Sequence, residues 1–153
     1  MKYVILHNVR SRHNVGSVFR TAEGAGVEKI FLAGYTPTPV DRFGRPVPEI
    51  VKTSLGATDM IPWEQVENTT SLIPLLQAEG VRVIAVEQAP RSISLFDFIA
   101  PEKVAYIFGN EITGVPQEVL TLCNTIVEIP MQGQKESLNV SVTAGVVLFQ
   151  PII

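Results

Sequence analysis

Largely apolar runs of strand length recur along this sequence, and they constrain the fold more than any other feature. Segments with a helical pattern lie between several of them. Strands that read as near-continuous Val, Ile and Leu runs and alternate with helices indicate a parallel sheet covered on both faces. The sequence therefore predicts an α/β fold, with a mostly parallel sheet flanked by helices. The predicted strands are residues 3–6, 30–33, 81–86, 104–108 and 125–129.

The chain has 153 residues, of which 46% are hydrophobic, which is enough for one proper core and too little for two. We expect a single domain over residues 1–153. No apolar run approaches the ~20 residues of a membrane-spanning helix, and no targeting segment is visible. The lone cysteine, Cys123, excludes an intramolecular disulfide and a cysteine-rich zinc cluster, which suits a reducing cytoplasm. We interpret Cys123 as a small buried apolar residue.

The formal charge of −3 is distributed unevenly along the chain. Residues 1–52 carry eight Lys/Arg and four Asp/Glu, whereas the remaining residues carry four and eleven. The basic side chains of the first third either form a phosphate-binding surface or are scattered over a solvated face. The candidates for contact with RNA are Arg10, Arg12, Arg42 and Arg45.

Residues 34–48 contain four prolines and two glycines, too many for the interior of a strand or helix. This composition predicts a long surface loop. Arg42, Phe43 and Arg45 give it charge and a stacking ring suited to RNA, although a plain flexible loop has the same composition.

The first helix is predicted to start after Asn14, a good N-cap residue. Val15, Val18, Phe19 and Ala22 follow at the spacing of one buried stripe. The opposite side of this helix carries small residues around one guanidinium, that of Arg20. Another backbone is able to approach closely there, or the face is an ordinary exposed one. The small residues are Gly16, Ser17 and Gly24.

Loops begin at the ends of three of the predicted strands, at residues 87–88, 109–111 and 129–131, and the first two of these segments carry polar side chains. Ligands of open parallel sheets bind at the carboxyl ends of the strands, so the three ends predict one binding site. The final predicted helix, residues 138–149, is apolar almost all round, which indicates burial on every side and a partner subunit over its outer face. Its richness in valine is also compatible with a strand. Ser137 and Asn139 lie where this helix is predicted to begin. Either their side chains and the free N–H groups of the first turn face a ligand, or Ser137 is only the N-cap of the helix.

Several familiar sites are missing from the sequence. There is no glycine-rich dinucleotide fingerprint, no P-loop and no nucleophile elbow. The two histidines, His7 and His13, are not at metal-ligand spacing with other ligand residues, so we expect no metal site. We interpret His13 as an exposed loop residue.

Three segments carry a resemblance to a known family. They are NVGSVFRTAE (residues 14–23), FGNEITGV (108–115) and IPMQGQKESLNVSV (129–142). In order and spacing they resemble the three motifs of the SpoU (TrmH-like) RNA methyltransferases of the SPOUT class, and the match covers nearly the whole chain.

The resemblance implies methyl transfer from S-adenosylmethionine to a ribose 2′-hydroxyl of tRNA or rRNA, without a metal. It also implies a homodimer and a C-terminal trefoil knot, which connection rules alone would not predict. Arg20 matches the family's catalytic arginine, which acts as a base or stabilises the developing alkoxide. The implied cofactor-binding residues are Glu87, Phe108, Gly109, Asn110, Ile129, Met131, Ser137 and Leu138.

Four further residues acquire expected roles from the same resemblance. Asn14 is expected to place the ribose or a phosphate, Glu111 to hold Arg20 or a loop, and Ser137 and Asn139 to order the cofactor loop. Arg20 is expected to act across the dimer interface.

The chain departs from the family pattern at residues 11–13, Ser-Arg-His, where many relatives have Asp-Pro before the first motif. We also expect a bare catalytic domain without a separate RNA-binding extension. Two alternatives share the fold: an RNA-binding dimer that does not catalyse, and an enzyme that methylates a base instead of the ribose.

Overall fold

The structure, a computed structural model, describes residues 1–151, so the last two residues of the expected domain lie outside it. The described strands are β1 (Lys2–His7), β2 (Lys29–Ala33), β3 (Trp63–Val66), β4 (Arg82–Val86), β5 (Ile93–Ser94), β6 (Val104–Phe108) and β7 (Thr125–Glu128). They form one sheet in the order β3-β2-β1-β6-β4-β7-β5, and every neighbouring pair is parallel. The predicted α/β fold with a parallel sheet is confirmed.

All five predicted strands are present, and they include the whole centre of the sheet. The two strands that were not predicted, β3 and β5, are its edges, where one neighbour is enough and an apolar run is not needed. The two middle residues of β3, Glu64 and Gln65, are exposed, and β5 has only two residues.

Five α-helices among the described residues cover the two faces of the sheet, with bounds α1 (Arg12–Gly24), α2 (Pro48–Ser54), α3 (Thr69–Ala78), α4 (Gln117–Leu122) and α5 (Val140–Leu148). Alternate residues of β1 point to opposite faces. Val4 packs in a cluster with residues of α1, α2 and α5, whereas Ile5 packs with residues of α3 and α4. Cys123 is buried in the second cluster, as predicted, and burial raises the pKa of its thiol to about 11.

Helix α1 begins earlier than predicted, because Ser11 and not Asn14 is its N-cap. The Ser11 hydroxyl accepts a hydrogen bond from the backbone N–H of Asn14 at 3.1 Å. The predicted buried stripe of α1 is confirmed. The close approach on its other side is confirmed at Gly16, because a Cβ there would lie 2.6 Å from the carbonyl oxygen of Ile50 in α2.

Helix α5 differs from the prediction at both ends and in its burial. Asn139 is the N-cap, so the interpretation of Ser137 as the cap is wrong: the Asn139 side chain accepts from the Ser141 N–H at 2.9 Å. The helix is also not buried on every side, since Val142 is 51% exposed and Phe149, just beyond its end, is 59% exposed. One apolar face of α5 therefore has no cover from residues 1–151.

The proline-rich segment 34–48 is a surface loop, as predicted, up to Pro48, which is the first residue of α2. Its tip is closed by an antiparallel bridge between Val40 and Pro46. Asp41 holds the turn by accepting from the backbone N–H groups of Phe43 and Arg45.

No helix within residues 1–151 is long and apolar enough to cross a membrane. The trefoil knot and the single-domain boundary 1–153 stay predictions.

Candidate active site

A cleft with a volume of about 490 Å³ opens at the carboxyl ends of β4, β6 and β7. Its volume is within the range typical of small-molecule sites. The three strand ends that were predicted to form one binding site do meet at this cleft. Every residue predicted to bind the cofactor lines the cleft: Glu87, Phe108, Gly109, Asn110, Ile129, Met131, Ser137 and Leu138. Glu111 also lines it.

The loop after β6 forms one wall of the cleft, and the buried side chain of Asn110 fixes its shape. The Asn110 Oδ1 accepts hydrogen bonds from the N–H groups of Ile112 and Thr113 at 2.8 and 2.9 Å. Its Nδ2 donates to the Asn8 carbonyl at 2.8 Å and to the Tyr35 hydroxyl at 3.0 Å. All of these partners are protein groups, so the Asn110 amide orders the loop and leaves its backbone to face the cleft.

Glu87, which follows β4, also binds the backbone of a loop with its side chain. Its carboxylate accepts from the Val115 N–H at 2.8 Å and from the Gln88 N–H at 2.8 Å. Glu87 therefore holds the far end of the loop after β6 against the loop after β4.

Glu111 connects the cleft to the start of α1. Its carboxylate accepts from the backbone N–H groups of Arg10 and Ser11 at 2.9 and 2.8 Å, and from Nδ2 of Asn14 at 3.3 Å. Of the two expected roles of Glu111, holding Arg20 or holding a loop, the geometry gives the second. Asn14 lies in this network and does not line the cleft.

Electrostatics reinforce the Glu111 contact. Partial burial alone would raise the pKa of Glu111, but the hydrogen bonds from Arg10, Ser11, its own backbone and Asn14 outweigh burial and hold the pKa below its ordinary value of 4.5. The group is charged at neutral pH, and the loop of residues 10–11 is held by a carboxylate.

The segment between β7 and α5 forms the opposite wall. Gln88 Nε2 donates to the Glu136 carbonyl and ties this segment to the loop after β4. Within residues 1–151, the backbone N–H groups of Ile129, Met131 and Leu138 donate to no protein acceptor, although all three residues line the cleft. Free backbone donors beside apolar side chains suit a ligand with both a planar ring and polar atoms. The residues present therefore fit S-adenosylmethionine.

Arg20 stands apart from this cleft. It is exposed on α1, does not line the cleft, and pairs with no carboxylate among residues 1–151. The structure of the chain brings together the second and third sequence segments and, through Glu111, the start of the first. Arg20, about two turns further along α1, does not line the cleft.

The profile of the SpoU rRNA Methylase family matches residues 1–149 of the chain. The chain belongs to the SpoU rRNA methylase family. The resemblance found in the three motifs is thereby confirmed.

Several members of the family are similar along almost the whole chain. The 23S rRNA (guanosine-2′-O-)-methyltransferase RlmB of Ralstonia nicotianae is 33% identical over 150 residues, which are 97% of this chain and 57% of that protein. The AdoMet-bound rRNA methyltransferase from Sinorhizobium meliloti has a TM-score of 0.87 at 32% identity, covering 97% of this chain and 54% of that one. A structure described as giving insights into the 2-OH methylation of C/U34 on tRNA has a TM-score of 0.80 at 26% identity. The match covers 97% of this chain and 92% of that one. The chain thus spans a little over half the length of the RlmB relative.

In this SpoU family member, the four arginines predicted to contact RNA fall into two groups. Arg10 and Arg12 line a shallow pocket with His13, Tyr35, Pro37 and Glu49. Arg42 and Arg45 flank the exposed ring of Phe43, with guanidinium carbons 4.8 and 4.9 Å from its centroid. Arg42 and Arg45 do not line the shallow pocket.

His13 lies in the first turn of α1, so its interpretation as a loop residue is wrong, although it is exposed as expected. His7 lies at the end of β1, where its Nδ1 is 2.7 Å from Oγ1 of Thr69. Burial lowers the pKa of His7 more than the nearby Glu118 raises it. No group of three possible metal ligands occurs in the part of the chain that the structure describes.

Sequence reasoning missed Asn8 and Tyr35, which hold the loop after β6 from the other side. Asn8 has a positive φ of 52°, and its Oδ1 accepts from the Tyr35 N–H at 3.1 Å. Both residues follow strands of the same sheet, β1 and β2. The rule that places ligands at the carboxyl ends of strands, applied to these two strands as well, would have found them.

The Glu111 network predicts a local response to acid. A carboxyl whose pKa is lowered on folding stabilises the fold above its ordinary value, and this contribution disappears as the pH falls through the lowered pKa. We expect the N–H groups of Arg10 and Ser11 to lose protection from hydrogen exchange as the pH falls below 4.5. In Glu111→Gln the two N–H groups should be less protected at neutral pH, with no further loss in acid. Equal acid profiles in the two proteins would contradict the assignment.

Proposed function

We propose that the chain transfers a methyl group from S-adenosylmethionine to a ribose 2′-hydroxyl of tRNA or rRNA. The observation that carries this proposal is the cleft in which the second and third family motifs meet, with free backbone donors on its wall. The names of the relatives support the acceptor, because RlmB is a guanosine-2′-O-methyltransferase of 23S rRNA and another match concerns 2-OH methylation of tRNA.

The cleft residues bind and orient the cofactor, which supplies an electrophilic methyl group when bound. The N–H groups of Ile129, Met131 and Leu138 are the proposed donors to its polar atoms. The backbone of Phe108 and Gly109 forms the floor, in a shape that Asn110 and Glu87 maintain. Ser137 and Asn139 order the segment before α5, Asn139 by capping the helix. Alignment of the acceptor hydroxyl with the cleft provides a large part of the rate enhancement.

Arg20 is the proposed catalytic residue on the acceptor side. A guanidinium keeps its proton and carries five N–H donors, so it stabilises the negative charge that develops on the 2′-oxygen. Asn14, in the first turn of α1, is held by Glu111 and is proposed to contact the ribose or an adjoining phosphate. The 2′-hydroxyl proton then passes to solvent or to a phosphate of the RNA.

We further propose a homodimer in which Arg20 serves the cleft of the partner subunit. The support is an apolar face of α5 that is exposed among the described residues. This face continues onto α1, because the ring of Phe149 lies 3.5 Å from the position that a Cβ on Gly24 would occupy. A second protomer placed over this face covers Val142 and Phe149 and lies beside Arg20. This arrangement accounts for the separation of Arg20 from the cleft of its own protomer.

The RNA surface in this proposal comprises Arg10, Arg12, Arg42 and Arg45, all on the basic first third of the chain. Contacts with phosphates make RNA affinity fall with salt concentration. A cytoplasmic location is consistent with the buried, unpaired Cys123.

The experiment that tests the function has two parts. Calorimetric titration with S-adenosylmethionine and S-adenosylhomocysteine should show saturable binding of each. Transfer of a labelled methyl group is then followed on unmodified tRNA and rRNA transcripts, and the product is digested with alkali. A 2′-O-methyl group blocks cleavage at its 3′ phosphate, whereas a methylated base does not. Cofactor binding with cleavable product would favour base methylation, and RNA binding without cofactor binding would favour a dimer that does not catalyse.

The dimer has its own test in Val142→Asp. An unpaired charge buried in an apolar interface costs about 3–5 kcal/mol, so we expect the dimer dissociation constant to rise by at least about 100-fold. Sedimentation equilibrium measures it. Leu75→Asp is the matched control, because Leu75 is 65% exposed on α3, on the other face of the sheet. A monomeric wild-type protein, or unchanged dimerisation in Val142→Asp, would contradict the proposal.

A further inference from the structure

We propose that Tyr35 is a stacking platform for a nucleobase of the RNA, next to the nucleotide that accepts the methyl group. This inference rests on the proposed function, which it deepens by naming a substrate contact outside the three family motifs. The initial observation is that Tyr35 is 60% exposed, although both its backbone N–H and its hydroxyl are hydrogen-bonded to neighbouring loops.

The ring is held in place at two points. The Tyr35 N–H donates to Oδ1 of Asn8 at 3.1 Å, and the hydroxyl accepts from Nδ2 of Asn110 at 3.0 Å. Gly34 precedes it with a φ of 65°, at a turn where a Cβ would collide with the Asn8 amide. An aromatic side chain that is already ordered loses little conformational entropy when a base stacks on it.

The surroundings of the ring suit a nucleotide. Tyr35 and Pro37 share the shallow pocket with Arg10, Arg12 and His13. The one acidic side chain lining this pocket, Glu49, lies 3.5 Å from the Arg12 guanidinium, which offsets its charge. An aromatic face beside basic side chains is the combination that binds single-stranded nucleic acid: the base stacks and the phosphates are neutralised.

The position of the pocket gives the stacked base a role in methyl transfer. Asn110 lines the cofactor cleft and holds the Tyr35 hydroxyl, while Glu111 lines the cleft and holds the backbone of Arg10. The shallow pocket and the cleft are thus joined by two adjacent residues. A base stacked on Tyr35 belongs to a nucleotide close to the target ribose, so the contact selects an unstacked, single-stranded target.

The competing explanation is that Tyr35 only fixes the Asn110 side chain through its hydroxyl. Two types of substitution separate these roles. Tyr35→Phe and Tyr35→Trp keep a stacking ring, and Tyr35→Phe removes the hydroxyl that accepts from Asn110. Tyr35→Leu and Tyr35→Gln remove the ring and the hydroxyl together. The side chain is mostly exposed, and two non-aromatic variants leave the test usable if one of them does not fold.

The probe is a short single-stranded RNA in which every adenosine is replaced by 2-aminopurine, whose fluorescence is quenched when it stacks. Titration with wild-type protein, Tyr35→Phe and Tyr35→Trp should give quenching with similar dissociation constants. In Tyr35→Leu and Tyr35→Gln we expect affinity about 5- to 150-fold weaker, the range that loss of one stacked base gives. The affinity for S-adenosylmethionine should be unchanged in the non-aromatic variants relative to Tyr35→Phe.

Three results would overturn the inference: no RNA binding by the wild-type protein, unchanged RNA affinity in the non-aromatic variants, or equal weakening in Tyr35→Phe and Tyr35→Leu. The proposed function would fail on different results, namely no cofactor binding or no methyl transfer by the wild-type protein. A stacking effect that persists without either activity would keep Tyr35 as an RNA contact and remove only its link to catalysis.

Discussion

Replacement of Arg20 by alanine is expected to lower the rate constant of methyl transfer by about 100- to 1,000-fold, the usual effect of removing one group that stabilises a developing oxyanion. The affinity for S-adenosylmethionine should not change, because the proposed role of Arg20 is to stabilise the acceptor oxygen and not to bind the cofactor. The melting temperature should also stay the same, since the side chain is exposed and pairs with no carboxylate among residues 1–151. Single-turnover transfer of a labelled methyl group to RNA measures the effect.

Two further variants make this result specific. Arg20→Lys keeps the positive charge but loses the planar fork of donors, so it should recover only part of the rate. Arg82→Ala removes an exposed arginine at the amino end of β4, whereas the cleft lies at the carboxyl ends of the strands. This variant should transfer the methyl group at the wild-type rate. Full activity in Arg20→Ala would exclude Arg20 from catalysis, and an equal loss in Arg82→Ala would indicate a general charge effect on RNA binding.

Mixed dimers test whether Arg20 acts across the interface. Arg20→Ala protomers are combined with protomers in which the cofactor cleft is disabled by Gly109→Ala. If the arginine of one protomer serves the cleft of the other, each mixed dimer contains one intact site, and activity returns on mixing. If both groups act within one protomer, the mixed dimer has no intact site and activity stays absent.

The centre of the sheet could be predicted from the sequence because its strands are buried on both faces. Residues 104–108 read as an unbroken apolar run and form β6, which is buried throughout. Edge strands give no such signal, which is why β3 and β5 were missed. The start of α1 depends on a contact that is distant in sequence: Glu111, about a hundred residues away, binds the backbone at Arg10 and Ser11. Local capping preference does not distinguish Ser11 from Asn14, and this contact fixes the chain at Ser11.

The place of the site could be predicted better than the roles of its side chains. The rule that ligands bind at the carboxyl ends of parallel strands located the cleft, because it depends only on topology. Glu87 and Asn110 line the cleft as expected, yet their polar atoms bind the protein's own backbone. Which groups a polar side chain will meet is decided by loops whose shape the sequence does not reveal. The role of Arg20 is even harder to predict from the sequence, because its proposed target belongs to a second copy of the chain.

Gly109→Ala is expected to be the most damaging single change in the cleft. A Cβ at Gly109 would lie 2.5 Å from the carbonyl oxygen of Gly114 and 2.6 Å from the nitrogen of Val115. Both atoms are backbone, so no side-chain rotation relieves the collision. The backbone is also fixed, since Asn110 and Gly114 exchange two hydrogen bonds and Glu87 holds the Val115 N–H. The loop must therefore move away from β6.

Overpacking of this kind lowers the free energy of unfolding by about 1–3 kcal/mol, which for a chain of this size lowers the melting temperature by roughly 2–12 °C. The displaced loop is a wall of the cleft, so affinity for S-adenosylmethionine should fall as well. Gly133→Ala is the matched control, because nothing lies within 4 Å of a Cβ there, and it should change the free energy of unfolding by less than about 0.5 kcal/mol. Calorimetry measures both quantities for both variants. A Gly109→Ala protein with wild-type stability and wild-type cofactor affinity would show that the contact between the β6 end and residues 114–115 neither packs tightly nor shapes the cleft.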